Sequence, residues 1–224
     1  MPPGVFNVVL GNYRVGQYLS RHPRIAKISF TGGCDTGKKV MADAAQTIKE
    51  VTLELGGKSP LIVFDDANLD NAVSGALLGN FYTQGEICTN GTRVFVQAGV
   101  YDEFIEKARV RTEAINVGDP MDLETQMGAL ISANHFDNVM GYIEQAKASS
   151  ARLVCGGNRH NSDNTRDGFF VEPTIFADCE DEMTIVKEEV FGPVMAVLRF
   201  EDESEVIDRA NDTDFGLAAG VFTQ

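Results

Sequence analysis

The sequence predicts an α/β protein built on parallel strands, and two features support this prediction. Short apolar and β-branched runs alternate with segments of helical periodicity along the chain. Glycine-rich turns follow two of the early runs, as in βαβ units, where a strand leads through a tight turn into a helix. With 224 residues, 43% of them hydrophobic, the chain can form one large domain or two small ones.

The first part of the chain shows this alternation clearly. Its predicted elements are, in order, a strand at Val5–Leu10, a helix near Gly16–His22, a strand at Ile25–Phe30, a helix after Asp35 and a strand at Val51–Leu55. Two glycines, Gly56 and Gly57, then interrupt the pattern. We therefore expect a domain boundary here, with residues 1–55 in one domain and residues 56–224 in another.

The second part is again predicted to be α/β. The predicted strands are Pro60–Phe64, Arg93–Gln97, Arg152–Cys155, Val194–Phe200 and Ala218–Thr223, and the predicted helices are Leu69–Leu78, Tyr101–Ile115, Ala133–Ala148 and Glu203–Asn211. Asp66 or Asn68 can cap the first of these helices. The polar, turn-rich segment 156–168 predicts an exposed loop before an extended segment at Phe169–Phe176.

Composition excludes several classes of function. The 19 Lys and Arg residues against 33 Asp and Glu give a net charge of -14, which should repel nucleic acid. No apolar run approaches the roughly 18 residues of a membrane span. The first residues, MPPGVFNVVL, lack the pattern of a secretory signal, so we expect a cytoplasmic protein. The four cysteines and three histidines are scattered, which favours neither a disulfide framework nor a zinc site.

The segment FTGGCDTG, residues 30–37, brings a predicted strand through a glycine turn to the start of a helix. The free N–H groups and positive dipole end of such a helix suit a phosphate. Turns of this kind are also common in α/β proteins that bind no ligand, so the segment alone leaves both interpretations open.

The segment ELGGKSP places Glu54 at the carboxyl end of a predicted strand, just before two glycines. Ligands bind at this edge of open α/β sheets. A glutamate there can act as a general base when it is partly desolvated. The alternative is an ordinary solvated carboxylate at a strand end.

The segment FYTQGEICTNGT, residues 81–92, places Cys88 in a polar turn between Gly85 and Gly91. Backbone N–H groups in such a turn can lower the pKa of a thiol and stabilise an oxyanion. Cys88 is therefore a better candidate nucleophile than Cys155 or Cys179. Cys34 remains a rival, because it lies near a predicted helix start, where thiolates are also favoured.

Together these segments resemble the aldehyde dehydrogenase family. FTGG, ELGGKSP, QGEICTNGT and EEVFGPV follow one another in the family's order, and Glu54 precedes Cys88 by 34 residues (positions 54 and 88), as the family's base precedes its nucleophile. The resemblance covers essentially the whole chain, and the form CTNGTRVFV is most similar to the bacterial betaine-aldehyde branch of the family. It implies part of a Rossmann-like cofactor domain in residues 1–55 and an α/β catalytic domain, truncated at its C-terminus, in residues 56–224.

The resemblance also implies roles for individual residues. Cys88 would attack the aldehyde, and Glu54 would activate the water that hydrolyses the resulting thioester. The implied NAD contacts are Gly33, Cys34, Asp35 and Thr36 at the pyrophosphate, Gly56 near the nicotinamide, and Glu189 and Phe191 at the nicotinamide ribose. A backbone carbonyl that binds potassium in such enzymes would correspond to Ile48. The segment from the glycine turn to Glu54 is one residue shorter than in close relatives, which affects the register of the phosphate contacts.

Several alternatives stay open at this point. Family members are roughly twice as long and form homodimers or homotetramers, and the segment that distinguishes NAD from NADP is absent from this sequence. Betaine aldehyde is the expected substrate, with another aldehyde as the alternative. Phe81 and Tyr82 could contact its quaternary ammonium group through cation–π interactions or could simply be core residues. A catalytically silent protein with the same fold is a further alternative.

Overall fold

The computed structural model describes residues 1–162, 165 and 167–224, which form two compact units, residues 1–56 and 57–224. Helices and mostly parallel strands alternate in both units, which confirms the predicted α/β class. Residues 163, 164 and 166, within the predicted loop 156–168, lie outside the described residues. Among the helices that the structure describes, none is long and apolar enough to cross a membrane.

The first unit is a pair of parallel strands with two helices. Its elements are α1 (Tyr13–Arg21), β1 (Lys27–Thr31), α2 (Cys34–Ala45) and β2 (Glu50–Glu54), and the strand pairing places Thr31 opposite Glu54. Helix α1 begins three residues before Gly16 because the Asn12 side chain accepts a hydrogen bond from the Arg14 N–H and so caps the helix.

The predicted strand at Val5–Leu10 is wrong. This segment has no regular structure, and the side chains of Val5, Phe6, Val8, Val9 and Leu10 are exposed. In the first unit, whose residues are all described, β1 and β2 pair only with each other. An apolar β-branched run becomes a strand only where a neighbouring strand satisfies its backbone groups, and this run has no such neighbour.

The second unit is a six-stranded sheet with helices packed on both faces. Its strand order is β5-β6-β7-β4-β3-β8, and only β5 is antiparallel to its neighbour. The strands are β3 (Pro60–Val63), β4 (Arg93–Gln97), β5 (Arg152–Cys155), β6 (Thr174–Ala177), β7 (Val194–Phe200) and β8 (Gly220–Phe222). The helices are α3 (Leu69–Phe81), α4 (Tyr101–Glu113), α5 (Ala133–Lys147), α6 (Thr184–Lys187) and α7 (Glu203–Asn211).

Alternate residues of the central strands face the two helical layers. Val94 and Val96 of β4 pack with residues of α3 and α4, whereas Phe95 packs with residues of α5 and α7. This is the expected period of two for a strand buried on both faces. The predicted bounds of β4, β5, β7 and α7 are confirmed. Helix α6 was not predicted, because four residues are too few for a helical pattern.

Four connecting segments lie together at one edge of this sheet. Because β3, β4, β7 and β8 are parallel, the residues before each strand meet at the amino edge of the sheet. These are the segments 57–59, 88–92, 189–193 and 217–219.

Candidate active site

Cys88 lies in a sharp turn between α3 and β4. The chain reverses after α3 through three successive residues with positive φ, Thr83, Gln84 and Gly85. A Cβ at Gly85 would lie 2.2 Å from the carbonyl oxygen of Gly192, so only glycine allows the turn to pack against the segment before β7. The turn therefore holds the Cys88 side chain half-buried at the amino edge of the sheet.

Gly57 lies between the Cys88 turn and a carboxylate. A Cβ at Gly57 would lie 2.5 Å from the carbonyl oxygen of Cys88. The Gly57 N–H donates a hydrogen bond to Glu189 Oε1 at 3.2 Å. One peptide thus contacts both the backbone of Cys88 and the side chain of Glu189, and any larger residue would displace it.

The next residue, Lys58, is fixed at both its side chain and its backbone. Its side chain is buried, and Nζ donates to the carbonyl oxygen of Ile185 in α6 at 2.8 Å. Its own carbonyl accepts a 2.7 Å hydrogen bond from Arg93 Nε. The Arg93 guanidinium also donates to the carbonyls of Arg209 and Ala210 at the end of α7, at 3.2 and 2.7 Å. Arg93 therefore ties β3, β4 and α7 together at this edge.

The buried charges at this edge influence one another. Burial and, to a smaller extent, the positive charge of Arg93 lower the pKa of Lys58 to about 7, and the negative charge of Glu189 opposes this shift. Burial raises the pKa of Glu189, while the Gly57 N–H and the Lys58 charge lower it. Lys58 and Glu189 therefore stabilise each other's charged forms in a largely dry environment.

Phe191 takes a left-handed backbone conformation, with φ of 54°. Its carbonyl accepts a 2.7 Å hydrogen bond from His135 Nε2, and the two rings meet edge to face at 6.0 Å. The same nitrogen is 3.4 Å from Glu86 Oε1, two residues before Cys88. Helix α5 thus links the Cys88 turn to the segment that carries Phe191.

The other cysteines of the second unit are poor nucleophiles. Burial raises the pKa of Cys155 to about 11 and that of Cys179 to about 12, so both remain protonated near neutral pH. Cys34, the first residue of α2 in the first unit, is half-buried like Cys88.

In the first unit, the residues predicted to contact a phosphate form the start of α2. Gly33 is the N-cap and contributes no side-chain hydrogen bond, and Asp35 and Thr36 are exposed in the first turn. Beside Thr36 is an apolar cavity of about 330 Å³ whose lining includes Tyr13, Ile28, Phe30 and Val40. An uncapped helix start next to an apolar cavity suits a ligand with a phosphate and a flat apolar group.

The remaining candidates of the first unit lie near its strands. Glu54 is the last residue of β2 and is exposed, and Gly56 is the last residue of the unit. Ile48 is 93% exposed and has an unusual φ of 54°. Among the described residues, no group of three or more His, Cys, Asp or Glu could hold a metal ion. The potassium contact at Ile48 therefore stays a prediction.

The two aromatic residues near Cys88 have different environments. Phe81 is 3% exposed and belongs to the core beneath α3 and α4. Tyr82 is 62% exposed. Of the two, only Tyr82 offers a ring face to a ligand.

Four residues of this edge had no role in the sequence analysis: Gly57, Lys58, Arg93 and His135. Gly57 and Lys58 belong to the segment ELGGKSP. Because Lys58 comes just before the apolar strand that begins at Pro60, its position could have indicated a buried charge. The Arg93 side chain contacts residues 35 to 117 positions away in the sequence. The His135 side chain contacts Phe191, 56 positions away, and Glu86. Contacts of this range carry no local sequence signal.

The fold agrees with the comparison to known families. The aldehyde dehydrogenase family matches residues 1–224. The chain belongs to the aldehyde dehydrogenase family.

Individual relatives have more specific names. A betaine aldehyde dehydrogenase from Vibrio vulnificus (strain YJ016) is 62% identical over all of this chain and 46% of its own length. A 4-trimethylaminobutyraldehyde dehydrogenase A from Danio rerio is 56% identical over all of this chain and 44% of its own length. The chain thus spans about half the length of the curated relatives it matches.

Solved structures of the family have the same fold. The crystal structure of betaine aldehyde dehydrogenase from Staphylococcus aureus in complex with NAD+ superimposes with a TM-score of 0.94 at 42% identity, over 96% of this chain and 43% of that one. An aldehyde dehydrogenase mutant from Bacillus cereus gives a TM-score of 0.90 at 45% identity, over 94% of this chain and 42% of that one.

Proposed function

We propose that the protein carrying this chain oxidises betaine aldehyde to its carboxylic acid with NAD, through a covalent intermediate on Cys88. The observation that carries the proposal is the half-buried Cys88 thiol, in a turn whose carbonyl packs on Gly57 next to the Glu189 carboxylate. The names of the relatives and the NAD complex of the Staphylococcus aureus enzyme support the reaction class.

The chain supplies a nucleophile and a base. The Cys88 thiolate adds to the aldehyde carbon, and the new C–S bond gives a thiohemiacetal. NAD, when bound, accepts the hydride that leaves this carbon. Glu54 then removes a proton from the water that attacks the thioester, and the acid leaves as Cys88 is released. Cys88 and Glu54 are therefore both required for turnover.

The cofactor is held by residues that the sequence singled out. Gly33, Cys34, Asp35 and Thr36 offer the uncapped start of α2 to the pyrophosphate. The adjoining apolar cavity of the first unit, about 330 Å³, suits an adenine. In the second unit, Glu189 would accept hydroxyl hydrogen bonds from the ribose, with Phe191 beside it. Gly56, the last residue of the first unit, would contact the cofactor near its nicotinamide. Use of NADP in place of NAD is a separate question for kinetic measurement.

A quaternary ammonium aldehyde is the substrate class we favour. The exposed ring of Tyr82 can contact such a cation through its π face, which contributes roughly 0.5–2 kcal/mol. The Danio rerio relative, which is named for 4-trimethylaminobutyraldehyde, makes that longer aldehyde the second candidate. Comparing kcat/KM for the two aldehydes decides between them.

We further propose that the protein acts in the cytoplasm as a homodimer or homotetramer, as the family resemblance implies. Sedimentation analysis measures the assembly. The high negative charge of -14 supports a partner set without nucleic acid.

The proposed reaction is tested by NADH formation from betaine aldehyde and NAD, followed by absorbance. We expect activity in the wild type, none in Cys88→Ala, and a burst of NADH followed by little turnover in Glu54→Gln, because the thioester then accumulates. Cys155→Ala, at a buried cysteine outside the proposed site, is the matched control and should keep turnover. Activity that survives Cys88→Ala would refute the mechanism, and activity with other aldehydes alone would refute the substrate.

A further inference from the structure

We propose that Lys58 is a positioning residue that holds Glu189 in place for the cofactor. This inference rests on the proposed function, in which Glu189 binds the nicotinamide ribose. Lys58 would act in two ways: it anchors the segment that carries Glu189, and it places a buried positive charge near the carboxylate.

The anchoring follows from three hydrogen bonds around one dipeptide. Lys58 Nζ donates to the carbonyl of Ile185 at 2.8 Å, in the short helix α6 that leads to Glu189. The preceding N–H, that of Gly57, donates to Glu189 itself at 3.2 Å. The Lys58 carbonyl is fixed by Arg93 at 2.7 Å. The Glu189 segment is therefore held both before the residue, at Ile185, and at its carboxylate.

Anchoring the segment with a buried lysine carries a large desolvation penalty. Lys58 is 2% exposed, and an unpaired buried ammonium is among the least favourable groups in a protein. A methionine would fill the same space without this cost. The charge itself is thus the property that needs an explanation, and Glu189 is the anionic group that raises the Lys58 pKa most.

Of Lys58 and the charged or titratable groups around it, Lys58 has a pKa near neutrality. Lys58 faces Arg93 from β4, Glu189 from the segment after α6, and Cys179 from the segment after β6. Glu189 is also near Tyr142 of α5. The pKa values of Cys179 and Tyr142 are raised to about 12, so both stay neutral, and Arg93 stays charged. Lys58, with its pKa lowered to about 7, changes charge in this range.

Binding of NAD measured by calorimetry is the first test. Lys58→Met should weaken NAD binding about tenfold, the loss of one well-made interaction with a charged group. At saturating NAD, kcat should stay within about twofold, because the residue acts on cofactor binding and not on the reacting atoms. Lys187→Met is the matched control: it removes an exposed lysine of α6, the helix that Lys58 contacts, and should bind NAD like the wild type.

The pH dependence of the wild type tests the same idea without any variant. NAD affinity should fall as the pH rises through about 7, when Lys58 loses its proton. In Lys58→Met this step should be absent. Equal NAD affinity in Lys58→Met and wild type below about pH 7, where Lys58 is charged, would overturn the proposal, as would a wild-type affinity without a step in this range.

A double-mutant cycle separates this inference from the proposed function. The unfolding of wild type, Lys58→Met, Glu189→Gln and the double variant gives the Lys58–Glu189 coupling with no cofactor present. We expect coupling below about pH 7 that fades above it. Zero coupling at every pH would overturn the link between the two residues. Coupling in a wild type that binds no NAD would instead refute the proposed function and the cofactor role of Lys58 with it.

Discussion

The two units present their candidate site residues at opposite ends of their strands. In the first unit, Gly33 follows β1 and Glu54 ends β2, so these residues lie at the carboxyl edge of the sheet. In the second unit, Gly57, Cys88 and Glu189 precede β3, β4 and β7, so they lie at the amino edge. Ligand sites of open parallel sheets are usual at the carboxyl edge, and the second unit departs from this rule.

The difference shows two ways of building a site. The first unit uses a short turn between a strand and a helix, so its features are local: an uncapped helix start at Gly33 and a strand-end carboxylate. The second unit uses close packing of loops that are distant in sequence, with backbone contacts at Gly57 and Gly85 and a buried guanidinium at Arg93. We therefore expect substitutions at the second site to disturb the fold more than those at the first.

The largest effect is expected at Arg93. Arg93→Met removes the donor that three backbone carbonyls share, those of Lys58, Arg209 and Ala210. We expect a loss of about 3–5 kcal/mol in the free energy of unfolding, measured by urea denaturation. Arg24→Met, at an exposed position of the first unit, is the control and should change stability by less than about 0.5 kcal/mol. A loss below about 1 kcal/mol in Arg93→Met would contradict the packing account.

The next largest effect is expected at Gly57. In Gly57→Ala the new methyl group would lie 2.5 Å from the Cys88 carbonyl oxygen, so the nucleophile's turn must shift. We expect kcat/KM to fall about a hundredfold, because small displacements of a nucleophile cost this much. Gly141→Ala in α5, where a Cβ meets no atom within 4 Å, should keep normal kinetics. Equal kinetics in the two variants would show that Gly57 does not position Cys88.

A moderate effect with a definite sign is expected for Lys58 and pH. The folded-state pKa of Lys58, about 7, lies below its ordinary value of 10.5, so folding opposes its charged form. This destabilisation is complete below about pH 7 and fades as the pH rises toward 10.5. Thermal unfolding should therefore show Lys58→Met gaining stability relative to wild type at about pH 6 and keeping only part of that advantage at about pH 9. A difference that is independent of pH would mean that Lys58 titrates normally.

The smallest effect is expected in the first unit. Gly16 lies inside α1, and a Cβ there meets no atom within 4 Å. Gly16→Ala should therefore stabilise the helix by about 0.5–1 kcal/mol, because alanine loses less backbone entropy than glycine. Hydrogen exchange of the α1 amides measures this gain. Faster exchange in Gly16→Ala would mean that the added methyl group disrupts a contact of the helix.

The sequence predicted those parts of the fold whose signals are local. The strand at Arg93–Gln97 and the helix at Glu203–Asn211 have the expected bounds. The apolar pattern of consecutive residues is enough to predict both elements. The Val5–Leu10 prediction failed because its pattern says nothing about whether a partner strand is present.

The same distinction holds for the candidate site. Cys88, Glu54 and the glycine turn at Gly33 could be selected as candidates because each lies in a compact motif. The hydrogen bonds of Arg93 to the end of α7 and of His135 to Phe191 join segments far apart in the chain. Only the folded arrangement reveals such links.

The most direct test of the central claim is the rate of iodoacetamide labelling at each cysteine, measured by peptide mass spectrometry in the wild type near neutral pH. Cys155 and Cys179, with pKa values raised to about 11 and 12, should label slowest, and Cys88 should label well before Cys34. That order would support Cys88 as the nucleophile of the amino-edge site. Faster labelling of Cys34, or equal rates at Cys34 and Cys88, would contradict it.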